Sequence, residues 1–470
     1  MSDLAAFRSA LGGLKVEDNP AIVKQKSRDF FWYSPVLKRQ LDAVSGDLVV
    51  TPETEEDVAR VLAAAFAHDV PVTVRGGGTG NYGQAMPLSR GVILDLTQLN
   101  RVISIGRGSV VTEAGAIIAN IDAEARSRSG QELRMHPSTF RTATIGGFIA
   151  GGSGGIGSIK WGGLRDPGNV IRLKVWTLEE TPRVIELTGE DVQKVVHAYG
   201  TNGVVTQVEM PLTAALDWVD ALVTFDDFLD AARFADGLGN QDGIVVKEIG
   251  VIDAPLPHDY FLRHRKFLAR DKVVVAVMVA DIGMAAFADF TARARGATLV
   301  FRSDTASEDE KRGLPPVAEL VWNHTTLRGL RVEPGITYLQ TLFPFPTQLE
   351  AIARVRPLLG DDVVEHLEFV RFDGRVTCFG LPVIRYTNDE RLDEIVRIYE
   401  DNGCPVFNPH AYTLEEGGMK QTDAVQLAFK READPKGLLN PGKMIAWDDP
   451  DYDYSAPKTY LFRGLAPVEG

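Results

Sequence analysis

VTVRGGGTGNYGQAMPLSRGVILDL, residues 72–96, places a glycine-rich loop between two short apolar segments. Within it, residues 78–83 match G-x-G-x-x-G, and Asp95 lies about where a Rossmann fold would place its ribose-binding acid. That fold requires the glycines to open directly into a helix. Too few residues, Pro87 among them, separate Gly83 from GVILDL for a crossover helix. We therefore predict strand, loop, strand, with Asp95 at a strand end.

The loop itself has two interpretations. Successive backbone N–H groups in tight turns can bind a phosphate without a helix, but a strained hairpin would carry the same glycines. A second region, HPSTFRTATIGGFIAGGSGGIGSIKWGGLRDPGNV at 136–170, favours binding. Each glycine inside a helix or strand costs roughly 0.5–1 kcal/mol, so such density indicates close backbone approach along a surface. A large, flat cofactor with a diphosphate would explain such close approach of the backbone.

Composition limits the class of protein. The chain has 470 residues, 44% apolar and 24% charged, with a net charge of −14, which predicts a globular protein of two or more domains and disfavours nucleic-acid binding. Two cysteines exclude a disulfide framework. Without a signal sequence or an apolar run of about 18 residues, we expect a cytoplasmic protein with no transmembrane segment. A homodimer is left open.

The pattern of apolar residues predicts an α+β protein. Residues 47–75 are predicted as strand, helix and strand, with Thr54 and Asp57 capping the helix, and DVQKVVHAYG (191–200) is predicted as another helix. From Trp218 onward, strands and helices alternate in a way typical of a sheet covered by helices. The predicted domains are 1–212, with a core at about 47–212, then 213–434, and a C-terminal segment 435–470 that returns to the first domain.

Three stretches together resemble a known family. They are PETEEDVARVLAAAFAHDVPVTVRGGGTG, PSTFRTATIGGFIAGGSGGIGSIKWGGLRDPGNVI and YGTNGVVTQVEMPL, followed by DPKGLLNPGKM near the C-terminus. The chain resembles the vanillyl-alcohol oxidase and para-cresol methylhydroxylase (PCMH-type) flavoproteins, which include glycolate oxidase subunits and D-lactate dehydrogenases. The resemblance implies a PCMH-type FAD-binding domain of two α+β subdomains, plus an α+β substrate (cap) domain with an antiparallel sheet covered by helices.

The resemblance also implies which residues hold FAD. By position, two glycine regions, a strand start and the C-terminal segment would surround it. The residues are Arg75, Gly76, Gly77, Gly78, Thr79, Gly80 and Asn81; Pro137, Ser138, Thr144, Ile145, Gly146 and Gly147; Gly151, Gly152, Ser153, Gly154, Gly155, Ile156 and Gly157; and Gly203, Val204, Val205, Asn440 and Lys443.

Two departures from the family pattern matter. Several relatives attach the flavin covalently through a histidine at the position of Thr79, so we expect non-covalent FAD here. The 2-hydroxy acid branch carries a metal motif with two histidines and a later Glu-His-Gly. The counterparts VRFDGRVTCFG and LEEGGMK lack both histidines and place Glu416 where the third would be. No metal site is predicted.

Candidate catalytic residues cluster in FNPHAYTLEEGGMK (407–420), for which a solvated loop is the alternative. A histidine titrates near neutral pH without help, whereas a glutamate needs burial. His410 is therefore predicted as the base or orienting group. Further candidates are Tyr412, Glu416, Lys420 and His324 for catalysis, and Arg371, Arg385 and Asn408 for substrate binding.

We predict an FAD-dependent oxidoreductase that oxidises a small organic substrate by hydride transfer to flavin N5. The substrate would be a 2-hydroxy acid or another alcohol, and phenolic or sugar alcohols are the alternative because the metal histidines are missing. A non-catalytic flavin-binding protein is an alternative of another class. The motifs leave the electron acceptor open among oxygen, a quinone and a cytochrome.

Overall fold

The computed structural model describes residues 3–152, 154–372, 374–418 and 424–452. The chain forms two compact units: residues 1–153, 164–215 and 409–470 in the first, and 154–163 and 216–408 in the second. The units differ from the predicted domains at three places: residues 154–163 belong to the second unit, and residues 213–215 and 409–434 belong to the first. The first of these segments bonds to its own unit, since the Gly157 amide donates to the Lys247 carbonyl (2.8 Å) and Arg371 donates to the Ile159 carbonyl (3.2 Å).

A four-stranded sheet opens the first unit, with its second to fourth strands parallel. The predicted strand, helix and strand at 47–75 are confirmed, and Thr54 and Asp57 form a reciprocal capping box. Asp95 accepts from the Thr97 amide (3.0 Å) and from Lys26 (2.6 Å), which confirms it as a strand-end residue. In order β1–β2–β4–β3, the strands are β1 (Val16–Glu17), β2 (Leu48–Val50), β3 (Val72–Arg75) and β4 (Val92–Asp95).

The second sheet of this unit is antiparallel, in order β5–β6–β10–β8–β9, and β7 pairs with β10. Its strands are β5 (Val102–Ile105), β6 (Ser109–Glu113), β7 (Gln131–Leu133), β8 (Arg172–Trp176), β9 (Val184–Thr188) and β10 (Val204–Ala214). Helices of the first unit are α1 (Leu4–Ala10), α2 (Pro20–Lys26), α3 (Pro35–Leu41), α4 (Glu55–Ala67), α5 (Ile118–Ser129), α6 (Ile145–Gly151), α15 (Ala424–Ala433) and α16 (Ile445–Asp448).

The helix predicted at 191–200 is wrong. A 3₁₀ helix spans Gly189–Lys194, and the chain then turns through the left-handed residues His197 and Tyr199. Their amides donate to the carbonyls of Ile149 (2.9 Å) and Ala150 (2.8 Å). Hydrogen bonds to a distant segment have therefore replaced those that would have continued a helix.

The second unit contains a seven-stranded antiparallel sheet, β14–β11–β13–β12–β18–β19–β16, and a three-stranded one, β15–β20–β17, as the sequence predicted for a cap domain. Strands are β11 (Trp218–Phe225), β12 (Val246–Ile252), β13 (Val273–Ala280), β14 (Thr298–Arg302), β15 (Ile336–Tyr338), β16 (Thr341–Phe343), β17 (Val363–Val364), β18 (His366–Phe372), β19 (Arg375–Gly380) and β20 (Val383–Arg385). Helices are α7 (Ser158–Trp161), α8 (Phe228–Gly239), α9 (Leu256–Tyr260), α10 (Met284–Arg293), α11 (Glu308–Lys311), α12 (Asn323–Leu330), α13 (Gln348–Val355) and α14 (Asp389–Asp401).

Strand β12 is one of the elements that the sequence pattern did not reveal. It is buried along its whole length, VKEIGVI, and includes a lysine and a glutamate, so it shows neither alternation nor a continuous apolar run. Across the described ranges, the helices are all too short or too polar to cross a membrane.

Candidate functional site

The glycine loop after β3 packs directly on the second glycine region of the same unit. A Cβ on Gly76 would lie 2.0 Å from Oγ1 of Thr144, and one on Gly77 would lie 2.3 Å from the carbonyl oxygen of Thr142. Gly78 also has a left-handed φ of 63°. Any side chain at these positions would separate the two segments.

The same loop presents backbone donors. Within the described part of the chain, the N–H groups of Gly77, Gly78, Thr79 and Gly80 make no hydrogen bond, and neither does the largely buried amide side chain of Asn81. Successive N–H groups of this kind form a concavity that binds anions. The loop therefore fits the diphosphate of a dinucleotide cofactor.

An N-terminal segment that the sequence analysis did not single out supports the loop. Arg75 donates to the Arg28 carbonyl (2.6 Å), and the Phe30 amide donates to the Gly80 carbonyl (2.7 Å). Asp29 accepts from the amides of Phe31 (2.9 Å) and Ala85 (3.3 Å). Burial raises the pKa of Asp29 to about 6, although Lys443 opposes the shift. These contacts fix both ends of the loop.

Two residues of the C-terminal segment contact the region where the loop ends. Asn440 donates through its side-chain amide to the carbonyls of Gln84 (2.8 Å) and Tyr199 (2.6 Å), while its buried Oδ1 has no hydrogen-bond partner among the described residues. Lys443 is fully buried and donates to the Gly83 carbonyl (2.5 Å). Burial lowers the pKa of Lys443 to about 7. Both side chains thus offer hydrogen-bonding capacity that the described chain does not use.

The remaining predicted cofactor residues have mixed surroundings. Thr144 caps α6, since its Oγ1 accepts from the Gly147 amide (3.3 Å), and the amides of Ile145 and Gly146 donate to the carbonyls of Ala116 (2.9 Å) and Ala114 (2.8 Å). These hydrogen bonds hold the segment next to the glycine loop. They also show that packing against the protein is enough to explain a glycine at position 146, without any contact to a cofactor.

Other glycines in the predicted set pack against protein. A Cβ on Gly203 would lie 2.4 Å from Val175, and Val204 and Val205 are buried strand residues. Gly151 is the last residue of α6, and Gly152 is its C-cap. Pro137 and Ser138 lie in a turn that is closed by a hydrogen bond from the Phe140 amide to the Pro137 carbonyl. Gly154, Gly155, Ile156 and Gly157 belong to the second unit, and Ser153 lies outside the described residues.

His410 lies in the first unit, where its side chain is only 6% exposed. Its Nδ1 is 2.7 Å from Oγ of Ser34, the residue that caps α3. Tyr412 is half-buried, with its Cβ 3.4 Å from where a Cβ of Gly83 would be, and Nζ of Lys443 lies 5.0 Å from its ring centroid. Tyr412 and Lys443 thus lie close to Gly83, at the end of the glycine loop, and His410, two residues before Tyr412 in the same segment, contacts Ser34.

The two neighbouring glutamates differ. Glu415 is buried and accepts from the amides of Ile445 (2.9 Å) and Ala446 (3.0 Å), which anchors the C-terminal segment. Glu416 is exposed and accepts from the Thr413 hydroxyl (2.9 Å). Lys420 lies outside the described residues.

The other candidates belong to the second unit. Arg371 donates to three carbonyls, those of Ile159, Gly374 and Gly239, and Arg385 donates to Glu333 (2.9 Å) and to the Asp361 carbonyl (3.2 Å). Burial lowers the pKa of His324 to about 4, with Arg328 adding to the shift. Asn408 is half-buried. Their roles toward a substrate stay predictions.

No three His, Cys, Asp or Glu side chains of the described ranges are arranged to hold a metal ion. The groups of the first unit that could bind a cofactor or a substrate are a glycine loop with unused N–H groups, a buried lysine, a buried side-chain amide and a buried histidine.

Comparisons with known proteins agree with this geometry. Residues 46–186 match the family described as FAD binding domain. The chain is 24% identical over 448 residues to the glycolate oxidase subunit GlcD of Bacillus subtilis (strain 168), an alignment that covers 86% of this chain and 89% of that protein. It is 29% identical over 180 residues to the D-lactate dehydrogenase of Archaeoglobus fulgidus, covering 36% and 39%.

A solved structure of an alkyldihydroxyacetonephosphate synthase has the same fold. It superposes with a TM-score of 0.70 at 15% identity and covers 93% of this chain and 85% of that one. The family match lies on β2 to β9, the part of the first unit that contains the glycine loop, so the cofactor that the loop fits is FAD.

Proposed function

We propose that this chain, a flavoprotein oxidoreductase whose residues 46–186 form an FAD-binding domain, oxidises a 2-hydroxy acid to the corresponding 2-oxo acid. The substrate loses a hydride from the carbon that bears the hydroxyl group, and the hydroxyl proton leaves to a protein base or to water. FAD, when bound, supplies the hydride acceptor at N5. Turnover would also require an electron acceptor to reoxidise the cofactor, and the chain's residues do not specify which one.

One observation carries the proposal. A buried histidine, His410, and a half-buried tyrosine, Tyr412, occur in the same unit as the FAD-binding loop, and Tyr412 contacts the loop's end at Gly83. A polar side chain enclosed beside a cofactor loop is what orientation of a reacting alcohol requires. A solvated loop, the alternative reading of 407–420, would not bury His410.

The choice of substrate rests on the relatives. A glycolate oxidase subunit matches along 86% of this chain, and a D-lactate dehydrogenase matches along 36%. Both names specify 2-hydroxy acids. The arginines predicted as carboxylate ligands, Arg371 and Arg385, already bond to groups of their own unit, so we do not assign the substrate carboxylate to them.

The test is anaerobic flavin reduction. Holoprotein is mixed with glycolate, D-lactate and D-2-hydroxyglutarate, and separately with aromatic and sugar alcohols, while the flavin absorbance is followed. We expect bleaching by at least one 2-hydroxy acid. Bleaching by the other alcohols alone would contradict the substrate class, and no bleaching by any of them would favour a non-catalytic flavin protein.

A variant pair locates the chemistry. His410→Ala is expected to retain FAD and to slow reduction by about 10²-fold or more, the usual effect of a lost acid–base or orienting group. His68→Ala, at the half-exposed end of α4 in the same unit, is the matched control and should reduce at the wild-type rate. Equal rates in the two variants would contradict a role for His410.

A further inference from the structure

Ser34 makes two contacts with one hydroxyl group. As the N-cap of α3, its Oγ accepts a hydrogen bond from the Leu37 amide (3.0 Å). The same Oγ lies 2.7 Å from Nδ1 of His410, which is 376 residues away in sequence. Ser34 is fully buried. His410, for which we propose a role toward the substrate, thus contacts the N-cap residue of a helix near the N-terminus of the chain.

The position of the hydroxyl proton follows from counting donors and acceptors. A serine hydroxyl has one proton and two lone pairs. The Leu37 amide can only donate, so it uses a lone pair. Among the described residues, Nδ1 of His410 is the only remaining polar partner of Oγ, and Ser34 has no surface exposed to solvent. Leaving the hydroxyl proton without an acceptor would cost a buried hydrogen bond, so Ser34 donates to Nδ1.

This fixes the tautomer of the imidazole. Neutral histidine carries one proton, and when Nδ1 accepts, that proton is on Nε2. We propose that Ser34 is a positioning residue that holds His410 in the Nε2–H form, so that His410 acts toward the substrate as a hydrogen-bond donor and not as the base. The second half of this inference rests on the proposed function; the tautomer itself does not.

The role of a donor is orientation. An N–H at Nε2 can hold an oxygen of the 2-hydroxy acid in place while the hydride leaves the carbon, whereas it cannot take up the hydroxyl proton. Loss of one well-placed donor to a reacting oxygen typically slows an enzyme by about 10²-fold. Of the two roles predicted for His410, base or orienting group, the Nε2–H form permits the orienting role.

The direct test is NMR of histidine-¹⁵N-labelled oxidised holoprotein without substrate. The His410 signals are assigned by their loss in His410→Gln. Long-range ¹H–¹⁵N correlations should show an unprotonated Nδ1 and a protonated Nε2. Ser34→Thr, which keeps the hydroxyl, should preserve this pattern. Ser34→Asp keeps a helix cap but can only accept, so the proton should move to Nδ1.

Helix capping needs its own control, because Ser34→Ala also removes the cap of α3. Thr54→Ala removes the cap of α4 in the same unit without contacting His410, so it should lose stability and retain the Nε2–H pattern. A protonated Nδ1 in the wild type, or a pattern that stays the same in Ser34→Asp, would overturn the tautomer assignment.

Flavin reduction then separates the two halves of the inference. With a reactive hydroxy acid, Ser34→Asp should slow reduction by about 10²-fold and Ser34→Thr should restore it. An unchanged rate in Ser34→Asp despite a reversed tautomer would overturn the donor role. If no hydroxy acid reduces the wild-type flavin, the proposed function fails while the NMR result still decides the tautomer.

Discussion

Lys443 donates from its buried Nζ to the carbonyl oxygen of Gly83 at 2.5 Å, and this is the only hydrogen bond that the ammonium group makes within the described residues. A lysine ammonium has three donors, and Asp29, the acid that stabilises its charge, is not within ion-pair distance. A buried cation with two unused donors at the end of the glycine loop would suit an anionic or carbonyl group of FAD.

Lys443→Met tests this relationship. Methionine has a similar length and no charge, so we expect a folded protein that binds FAD about tenfold more weakly or worse, the equivalent of about 1.4 kcal/mol. The measurement is titration of apoprotein with FAD, followed by absorbance. Lys436→Met is the matched control, because Lys436 lies near the surface of the same unit and bonds to Asp69 (2.6 Å). Equal affinities in the two variants would contradict the assignment.

The same lysine predicts a pH dependence of stability. Burial lowers its pKa to about 7 from an ordinary value of 10.5, so between these values the unfolded state binds more protons than the folded state. The free energy of unfolding should therefore rise as the pH increases through this range. Asp29, with a pKa raised from 3.8 to about 6, acts at lower pH and in the opposite direction.

Denaturant unfolding of the apoprotein, at about pH 7 and about pH 9.5, measures the effect of Lys443. The wild type should gain more stability over this interval than Lys443→Met, because the variant has no lysine to deprotonate. Parallel changes in the two proteins would mean that Lys443 is not destabilised as a cation in the folded apoprotein.

Gly77→Ala tests whether the loop must touch the second glycine region. The added Cβ would lie 2.3 Å from the Thr142 carbonyl oxygen, a backbone atom that cannot rotate away. Overpacking of this kind costs typically 1–3 kcal/mol, and we expect FAD affinity to fall about tenfold or more. At Gly12, in the same unit, a Cβ would have its nearest neighbour at 3.9 Å. Gly12→Ala should bind FAD normally, and a normal affinity in Gly77→Ala would contradict the packing argument.

Local signals in the sequence were sufficient for part of this site. The Thr54 and Asp57 cap, the helix-free connection after Gly83 and the strand-end position of Asp95 all depend on residues within a few positions of each other, and each was predicted correctly. Ser34 could not be predicted because its contact with His410 joins residues 376 positions apart and no motif marks it.

The failed helix at 191–200 has a related cause. Its apolar spacing is helical, but Tyr199 donates its amide to Ala150, a partner that local periodicity cannot reveal. Asp29 escaped notice for the same reason, since its acceptor role depends on Ala85 in the folded chain. The role of a residue whose partner lies far away in the sequence cannot be predicted from the local pattern of a single sequence.

The second unit contains a buried pair of acids that supports a last prediction. Glu248 on β12 and Glu368 on β18 are both almost fully buried, and burial raises the pKa of each carboxyl, with their mutual interaction raising that of Glu248 further. Trp322 donates its indole N–H to Glu248 (3.1 Å) and its amide to Glu368 (2.6 Å). Because burial and the neighbouring Glu368 carboxyl both disfavour the charged form of Glu248, we expect Glu248 to keep a proton in the folded protein.

Glu248→Gln should mimic the protonated acid, because its amide can donate to Glu368 and accept from Trp322. A carboxyl whose folded pKa is raised binds more protons in the folded state, so wild-type stability falls as the pH rises from the ordinary carboxyl range into the raised one. The variant should lose much of this fall and be more stable than the wild type at alkaline pH, as measured by denaturant unfolding across the pH range. Glu350→Gln, on the exposed face of α13, should follow the wild-type profile. An unaltered pH profile in Glu248→Gln would show that the buried pair is ionised in the folded protein, and Glu248→Ala, which leaves the Trp322 indole without its acceptor, should be destabilised at every pH.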